Sequence, residues 1–460
     1  MKIYRLDALP NVIGAFWSPE NPNEITTGTL SSLDGRLHLL ASPSFRKLNA
    51  NEIRAAVSEF GTNRKARRID SLFGQTKDGP CTLLYLVETL TDGLTDFVNN
   101  FQIVGERWRV GSAVMGLHVD SAESESIDGA AFYFTKIHKW LPSPTKLRMT
   151  EEGMSHISPS KALQFFRLDS ASLQAEVICE IFAGKKPAKS FPRIRIIPHK
   201  PKSLEWFVSI GPRLENFFSL LLGTSVSLKS VQLFQGKKDD GWLIKRRPPS
   251  RSEKIDFQTW VQCSGAQTAE ALEKWFAVPD EQRPVEKTVL GMIRKSSLFT
   301  ETEFLALAQA LEGFGRLRFE RDLIPRAEFK RGLGKLKEAL VGMWGDSEIT
   351  KRCSDVLNSA NEASYGQRIG QTYDLLSKEF ATDFLGERST FVQKIVQTRN
   401  YFTHLGIRKG TAVVDDGNEL FFLNQRLHAF LRCVMLIDLG IAEAALKEPI
   451  SYQAARWRPV

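Results

Sequence analysis

The chain has 460 residues, 42% of them hydrophobic and 25% charged, which is the composition of a folded globular protein long enough for two to four domains. Its formal net charge is +9, which favours an anionic partner such as nucleic acid, but only modestly, because basic residues also serve solubility. The cysteines are scattered with no close pair, which argues against a disulfide framework or a zinc site and indicates reduced core residues: Cys81, Cys179, Cys263, Cys353 and Cys433.

The first half of the chain has the residue pattern of a β-rich region. Asp34-Gly35 lies between two apolar runs, 27–30 and 36–40, and this dipeptide predicts a tight hairpin. Further strand candidates are rich in β-branched and aromatic residues and are bounded by Gly, Pro or Asp: 81–88, 130–135, 175–182, 193–197 and 225–234. Pro212 suits the first turn of a helix that ends at Gly223.

The C-terminal third has helical periodicity. Apolar residues recur at helical spacing from Phe304 to Phe314, and we predict further helices over 325–343, 362–380, 384–404 and 424–447. Residues 415–418, Asp-Asp-Gly-Asn, predict a small hairpin between the last two. Shorter helices over 268–276 and 285–295 precede the bundle. The predicted regions are therefore 1–262, 263–298 and 299–460.

A polar hexapeptide ends the predicted helix 384–404. It reads Arg-Asn-Tyr-Phe-Thr-His over residues 399–404. On a helix, Asn400 and His404 are four residues apart and share a face, and the long side chain of Arg399 can bend toward that face. The sequence thus places a permanent cation beside a group that can be protonated.

These two groups fit the chemistry of RNA cleavage. Histidine transfers protons near neutral pH, whereas arginine stays charged and holds phosphate in a fork of donors. RNA carries its own nucleophile, the 2′-hydroxyl, so such a site needs no metal. In isolation the spacing is weak, because Arg399 could lie on a solvated face while His404 simply ends a helix, where its charge is favourable.

The hexapeptide, at the end of the penultimate long helix, resembles the Arg-x4-His motif of HEPN domains. The upstream stretch 307–314 and the closing segment, Leu427 followed by residues 436–440, look like the ApeA-type branch of that family. The N-terminal half is similar to the β-rich domain that precedes HEPN in ApeA proteins, on residues 28–37, 82–84 and 132–141.

The resemblance implies an α+β multidomain protein, with a β-rich N-terminal sensor or regulatory region followed by an all-α HEPN bundle. It implies a metal-independent endoribonuclease of bacterial defence against phage, acting by abortive infection without a cofactor. Arg399 and His404 carry over as catalytic residues, and Asn400 as the polar residue that follows the arginine. Glu312 is an acidic partner that orients Arg399 or His404, or equally an ordinary surface carboxylate.

The resemblance also implies partners. We expect a cellular RNA substrate such as tRNA, a phage-derived trigger sensed by the N-terminal region, and a homodimer or higher homo-oligomer formed through HEPN. No membrane partner is expected, because the apolar run 217–222 is too short to span a bilayer, and we expect a cytoplasmic protein. The alternative is a non-catalytic HEPN module that binds RNA or nucleotide, or that only dimerises.

Other candidate sites carry less weight. The basic clusters at 64–68, 185–189 and 245–247 could contact phosphates, but runs of charge are commonly solvated. Gly332-Leu-Gly334-Lys335 lacks a preceding strand and lies in a helical pattern, so it is a poor phosphate loop.

Overall fold

The computed structural model describes most of the chain in two compact units. The described residues are 11–33, 36–42, 68–89, 106–143, 146–150, 153–157, 162–183, 190–236, 239–245, 257–279, 283–294, 299–319, 322–404 and 411–455. Unit 1 comprises Met1–Phe218 and Val226–Ile255, and unit 2 comprises Ser219–Ser225 and Asp256–Val460. The expected fold class, a β-rich N-terminal half followed by a helical C-terminal region, is confirmed.

Unit 1 is built from antiparallel strands. They are β1 (Val12–Ser18), β2 (Asn21–Leu33), β3 (Arg36–Ser42), β4 (Arg68–Thr76), β5 (Gly79–Thr89), β6 (Glu106–Met115), β7 (Gly129–Phe134), β8 (Lys146–Thr150), β9 (Gly153–Ile157), β10 (Leu163–Ser170), β11 (Ala175–Ala183), β12 (Ser190–Pro198), β13 (Leu228–Gln235) and β14 (Asp239–Lys245). The strands β8 and β9 form a separate hairpin. All five strand candidates lie within or overlap these elements.

Six of the strands close into a barrel. The order β6-β3-β2-β1-β4-β5 is completed by pairing of β5 with β6, so the barrel has no free edge. Its interior is filled by fully buried side chains such as Phe16, Leu39, Leu83 and Trp108. The predicted hairpin is confirmed, because Leu33 on β2 pairs with Arg36 on β3; the two turn residues themselves lie outside the described part.

The same sheet continues beyond the barrel. Residues 112–115 of β6 pair with β14, and the order then runs β14-β13-β7-β12-β11-β10. Two helices belong to this unit, α1 (Ile137–Trp140) and α2 (Leu204–Leu222), the last four residues of α2 being counted in unit 2.

The helix predicted to start at Pro212 begins earlier, at Leu204, so Pro212 lies inside α2. The Ser203 side chain accepts a hydrogen bond from the backbone amide of Trp206 at 3.3 Å, which satisfies a first-turn donor and starts the helix there. Its end is confirmed: Gly223 has φ +61°, a left-handed conformation that favours glycine after a helix.

Unit 2 is helical. Its elements are α3 (Gly265–Ala277), α4 (Arg283–Arg294), α5 (Thr300–Arg318), α6 (Arg326–Trp344), α7 (Glu348–Asn358), α8 (Tyr365–Tyr373), α9 (Lys378–Leu385), α10 (Arg388–Thr403), α11 (Gly417–Asp438) and α12 (Glu443–Ala455). The helix α11 is the core helix, with Leu427, Phe430 and Leu431 fully buried. It is the one described helix long and apolar enough to span a membrane, and 61% of its apolar stretch is buried inside the bundle.

The prediction of a hairpin at 415–418 is wrong. Asp416 instead starts α11, because its carboxylate accepts hydrogen bonds from the backbone amides of Asn418 at 2.9 Å and Glu419 at 3.0 Å. The same Asp-Gly chemistry that makes turns therefore serves here as a helix cap.

Two predicted helices are each divided in the structure. The helix predicted over 362–380 is interrupted between Tyr373 and Lys378, where the Ser377 hydroxyl accepts from the Phe380 amide and starts α9. The helix predicted over 424–447 is two helices, separated at Gly440, whose φ is +88°. Local capping overrode an apolar periodicity that ran on through both breaks.

The helix α6 differs from the rest of the bundle, because none of its residues is buried. The sequence around Gly332 and Gly334 lies inside this helix, which confirms that it is not a phosphate loop.

Candidate active site

The candidate site lies at the C-terminal end of α10. This helix buries Phe391, Ile395 and Thr398, which follow each other at helical spacing on one face. Phe391 packs edge-to-face on Phe430 of the core helix, with ring centroids 5.6 Å apart. The apolar face thereby fixes α10 against the bundle and leaves its polar residues at the surface.

Hydrogen bonds close the end of this helix. The Thr403 hydroxyl donates to the backbone carbonyl of Arg399 at 2.7 Å, and the His404 amide donates to the carbonyl of Asn400 at 3.0 Å. The chain that returns from the motif is attached to the same helix, because the Val414 amide donates to the hydroxyl of buried Thr398 at 2.9 Å. The motif therefore has a fixed backbone, while the side chains of Asn400 and His404 are exposed.

Arg399 is half-buried and is held on two sides. Its guanidinium carbon lies 5.4 Å from the ring centroid of Tyr365, within the range of a cation–π contact. Its Nη1 donates to the Asn400 side-chain oxygen at 3.3 Å. The Tyr365 hydroxyl donates in turn to the carbonyl of Ala308 at 3.2 Å, which connects α8 to α5.

Glu312 lies near the same tyrosine. Burial raises the pKa of Tyr365 above its ordinary value, the negative charge of Glu312 raises it further, and the positive charge of Arg399 lowers it. The carboxylate of Glu312 itself accepts from Arg316, at 3.1 Å from Nε and 2.8 Å from Nη2. Glu312 and Arg399 thus shift the pKa of one tyrosine in opposite directions, and the hydrogen bonds of Glu312 go to Arg316.

Three predicted residues, Arg399, Asn400 and His404, occupy one helix end, and Glu312 lies on α5 beside Tyr365. The role of Tyr365 was missed in the sequence. The signal in the sequence is a capping box at the start of α8. The Ser364 hydroxyl accepts from the Gln367 amide at 3.3 Å, and the Gln367 side chain accepts from the Ser364 amide at 2.7 Å. This box places Tyr365 at the first position of α8, but the sequence does not say which neighbour its ring meets.

Among the described residues, no group of three or more His, Cys, Asp or Glu side chains converges to hold a metal ion. The basic clusters predicted as possible phosphate contacts lie largely outside the described part of the chain. Arg68 starts β4 and Lys245 ends β14, while residues 64–67, 185–189 and 246–247 are not described.

Comparison with known proteins identifies both halves of the chain. Residues 11–275 match ApeA N-terminal domain 1, and residues 305–445 match Apea-like HEPN. No curated protein and no solved structure matches the chain. The two domains together support an anti-phage HEPN protein, and HEPN domains are generally associated with ribonuclease activity. Because the N-terminal match alone covers more than half of the chain, the protein belongs to the ApeA family, in which an ApeA N-terminal domain precedes an ApeA-like HEPN domain.

Proposed function

We propose that this protein is a metal-independent endoribonuclease that cleaves cellular RNA, such as tRNA, during abortive infection by phage. The observation that carries the proposal is the arrangement at the end of α10. There, a half-buried Arg399 is positioned by Tyr365 and Asn400, at the same helix end as the exposed side chain of His404.

Arg399 would bind the scissile phosphate. Among the described residues its guanidinium has one hydrogen bond, a long one to Asn400, so its other donors can turn toward an anion. The Tyr365 ring supports the guanidinium from one face and limits its motion. A preorganised cation of this kind stabilises the extra negative charge of a pentavalent phosphorane more than it stabilises the ground state.

His404 would move the protons. In the proposed step a neutral imidazole takes the proton of the 2′-hydroxyl, and the 2′-oxygen attacks phosphorus. The bond from phosphorus to the 5′-oxygen then breaks, and an imidazolium protonates that leaving oxygen. The products are a 2′,3′-cyclic phosphate and a 5′-hydroxyl, and the reaction needs neither oxidant nor metal. Acid–base catalysis of this kind typically contributes about 10² to 10⁴ in rate.

One base and one acid are needed at the same time, and each chain carries one copy of the motif. We therefore propose that two motif helices meet in a homodimer and form one composite site. Two Arg399 side chains facing one cleft repel each other until an anionic RNA enters, which favours phosphate binding. A protein that light scattering shows to be monomeric at micromolar concentration, yet fully active, would rule out this composite site.

The rest of the proposal concerns how the nuclease activity is regulated. The N-terminal region would hold the nuclease inactive until it senses a phage-derived trigger, because an unrestrained ribonuclease harms its host. We place the protein in the cytoplasm, where cellular RNA is found.

The experiment is incubation of the purified full-length protein with total RNA in EDTA, with and without lysate of phage-infected cells. We expect cleavage in EDTA that yields 2′,3′-cyclic phosphate and 5′-hydroxyl ends, absence of cleavage with Arg399→Ala, and unchanged cleavage with Lys394→Ala. Lys394 is a suitable control because it is an exposed cation on the same helix. Cleavage that requires added Mg²⁺ would count against the chemistry, and RNA binding without cleavage would favour a non-catalytic module.

A further inference from the structure

The outer face of the six-stranded barrel carries a recess of about 260 Å³ that is unrelated to the HEPN motif. It opens where β3, β5 and β6 lie side by side. Its lining includes two cations, Arg36 and Arg109, the aromatic ring of Tyr85, and the backbone at Gly111. Cations, an aromatic ring and a concave surface together are the features of a ligand site rather than of a plain barrel wall.

Tyr85 has an unusual backbone. Its φ is +57°, in the left-handed region that a bulky residue in a strand rarely adopts. It lies on β5 between the pairs Leu84↔Ser112 and Leu86↔Val110, so it faces Gly111 of β6. A Cβ on Gly111 would lie 2.9 Å from the Cβ of Tyr85, closer than real Cβ atoms come. The glycine therefore makes room for the tyrosine. Backbone strain of this kind persists only where the surrounding structure holds it, and it clusters at functional sites.

The ring of Tyr85 is held in place at its far end. The hydroxyl donates a hydrogen bond to the carboxylate of Glu205, in the first turn of α2. Burial together with this bond raises the pKa of Tyr85 to about 12, so the hydroxyl stays protonated as a donor. The residue is nevertheless 47% exposed and lines the recess, so part of its side chain is accessible to a ligand.

Two cations line the recess, and the strand register places a third, Arg68, opposite the lining residue Val87. The register aligns His38 of β3 with Arg109 of β6, Arg109 with Val87 of β5, and Val87 with Arg68 of β4. Arg36 lies on β3, two residues before His38. The side chains of Arg36, Arg68 and Arg109 are exposed, and no carboxylate among the described residues pairs with them. Like charges on neighbouring strands are unfavourable, and an anionic ligand would relieve the repulsion.

We propose that this recess binds a nucleotide unit, with its phosphate held by Arg36 and Arg109 and its base stacked on Tyr85. Arginine matches phosphate as a fork of donors, and base stacking on an aromatic ring tolerates any base. The ligand is either a free nucleotide or a unit within single-stranded nucleic acid. The N-terminal domain would then have its own nucleotide-binding site, separate from the site proposed to cleave RNA.

The test is fluorescence anisotropy with the full-length protein and a short fluorescein-labelled oligothymidylate. DNA lacks the 2′-hydroxyl that RNA cleavage requires, so the probe stays intact. It therefore measures binding whether or not the HEPN domain is a ribonuclease. Unlabelled oligothymidylate and ATP serve as competitors. Competition by ATP identifies a free nucleotide as a sufficient ligand, and competition by the oligonucleotide alone identifies the strand.

We expect the double variant Arg36→Gln/Arg109→Gln to bind at least about tenfold more weakly, because two charge-assisted contacts are lost. Its slope of log affinity against log salt concentration should fall by about 1.4, the value for two phosphates of a single strand. The control is Arg326→Gln/Arg331→Gln, which removes the same charge from two exposed positions of α6. Equal loss in both variants would mean that only net charge matters and would overturn the proposal.

The variant Tyr85→Gly tests the effect of the aromatic ring on binding without changing the left-handed backbone conformation. Glycine accepts the left-handed conformation, so the fold should be kept, whereas loss of one stacked base should weaken binding about 5- to 160-fold. Unchanged affinity in this folded variant would overturn the stacking role. Affinity that falls with Arg399→Ala and not with the arginine variants of the recess would place the probe in the HEPN domain and likewise overturn the proposal.

Discussion

The guanidinium of Arg399 lies over the ring of Tyr365, 5.4 Å from its centroid. The tyrosine hydroxyl is in turn bonded to the Ala308 carbonyl on α5. Through this ring, the first residue of α8 positions the cation on α10. Tyr365 is therefore a positioning residue in the proposed site, acting on the phosphate through Arg399.

Two substitutions of Tyr365 should distinguish the contribution of its ring from that of its hydroxyl. Tyr365→Phe keeps the cation–π face and loses the hydrogen bond to Ala308, so cleavage should stay close to the parent rate. Tyr365→Ala removes the face, which is worth about 0.5 to 2 kcal/mol, and kcat/KM for RNA should fall about 2- to 30-fold. Equal activity of the alanine and phenylalanine variants, each shown to be folded by circular dichroism, would exclude the positioning role.

Glu312 and Arg316 offer a matched pair for testing the acidic residue. Glu312→Gln removes the charge that acts on Tyr365, whereas Arg316→Gln breaks the same ion pair and leaves the carboxylate in place. If Glu312 orients the site, the first variant should cleave RNA more slowly and the second should not. Similar rates for both variants and the parent would make Glu312 a surface carboxylate, the other reading that the sequence leaves open.

Arg432 should matter for stability rather than activity. It is fully buried, and its guanidinium donates to the carbonyls of Leu220 at 2.7 Å, Leu221 at 2.7 Å and Thr259 at 2.8 Å, and to the Gln453 side chain at 2.7 Å. Leu220 and Leu221 lie in the last turn of α2, where carbonyls lack partners within the helix.

Arg432→Met removes four hydrogen bonds from a buried site, although the Leu221 carbonyl keeps the backbone amide of Val261 as a donor at 3.0 Å. A buried acceptor that loses its donor costs about 1 to 3 kcal/mol. We expect the free energy of unfolding, from urea denaturation, to fall by about 3 kcal/mol or more. Arg331→Met on the exposed face of α6 is the control and should stay within about 0.5 kcal/mol of the parent. A loss below about 1 kcal/mol for Arg432→Met would show that water replaces the guanidinium.

The cysteines should differ in reactivity. All five are free thiols. Burial raises the pKa of Cys81 and Cys433 to about 12 and that of Cys263 to about 11. Since the thiolate is the nucleophile, these groups should react slowly with iodoacetamide at pH 8 and faster as pH rises.

Cys353, half-buried on α7, is more accessible than the buried Cys81 and Cys433 and should be alkylated before them, as peptide mass spectrometry would show. Cys353→Ser should remove the fast phase. Rapid labelling of Cys81 or Cys433 in the folded protein would contradict the buried environments.

Sequence patterns predicted half of the fourteen described strands, because a strand leaves a local pattern of β-branched and aromatic residues. The strands that were not predicted are β1, β4, β6, β8, β9, β10 and β14. Asp34-Gly35 between alternating runs specifies a hairpin, and β2 and β3 pair as expected. Closure of the barrel was not predictable, since the pairing of β5 with β6 and of β1 with β4 joins strands across long segments. The predicted helix boundaries were wrong where a capping residue competed with the apolar periodicity, as at Ser377 and Asp416.

The candidate site was likewise predictable where it depends on local spacing, and not where it depends on how helices pack. Arg399, Asn400 and His404 lie on one helix end, so spacing alone places them together. The contact of Arg399 with Tyr365 depends on how α8 packs beside α10, which no local pattern encodes. Likewise, Glu312 could be named from the first bundle helix, but its bonds to Arg316 depend on side-chain geometry at the surface.

The most direct test of the central claim compares RNA cleavage with thermal melting for His404→Ala. The His404 side chain is exposed, so its loss should shift the free energy of unfolding by about 0.5 kcal/mol or less. Loss of proton transfer should nevertheless lower the cleavage rate by about 10² or more. A variant that melts with the parent and no longer cuts RNA is the predicted result. A folded His404→Ala protein that cuts RNA at the parent rate would contradict the catalytic assignment and favour a non-catalytic binding module.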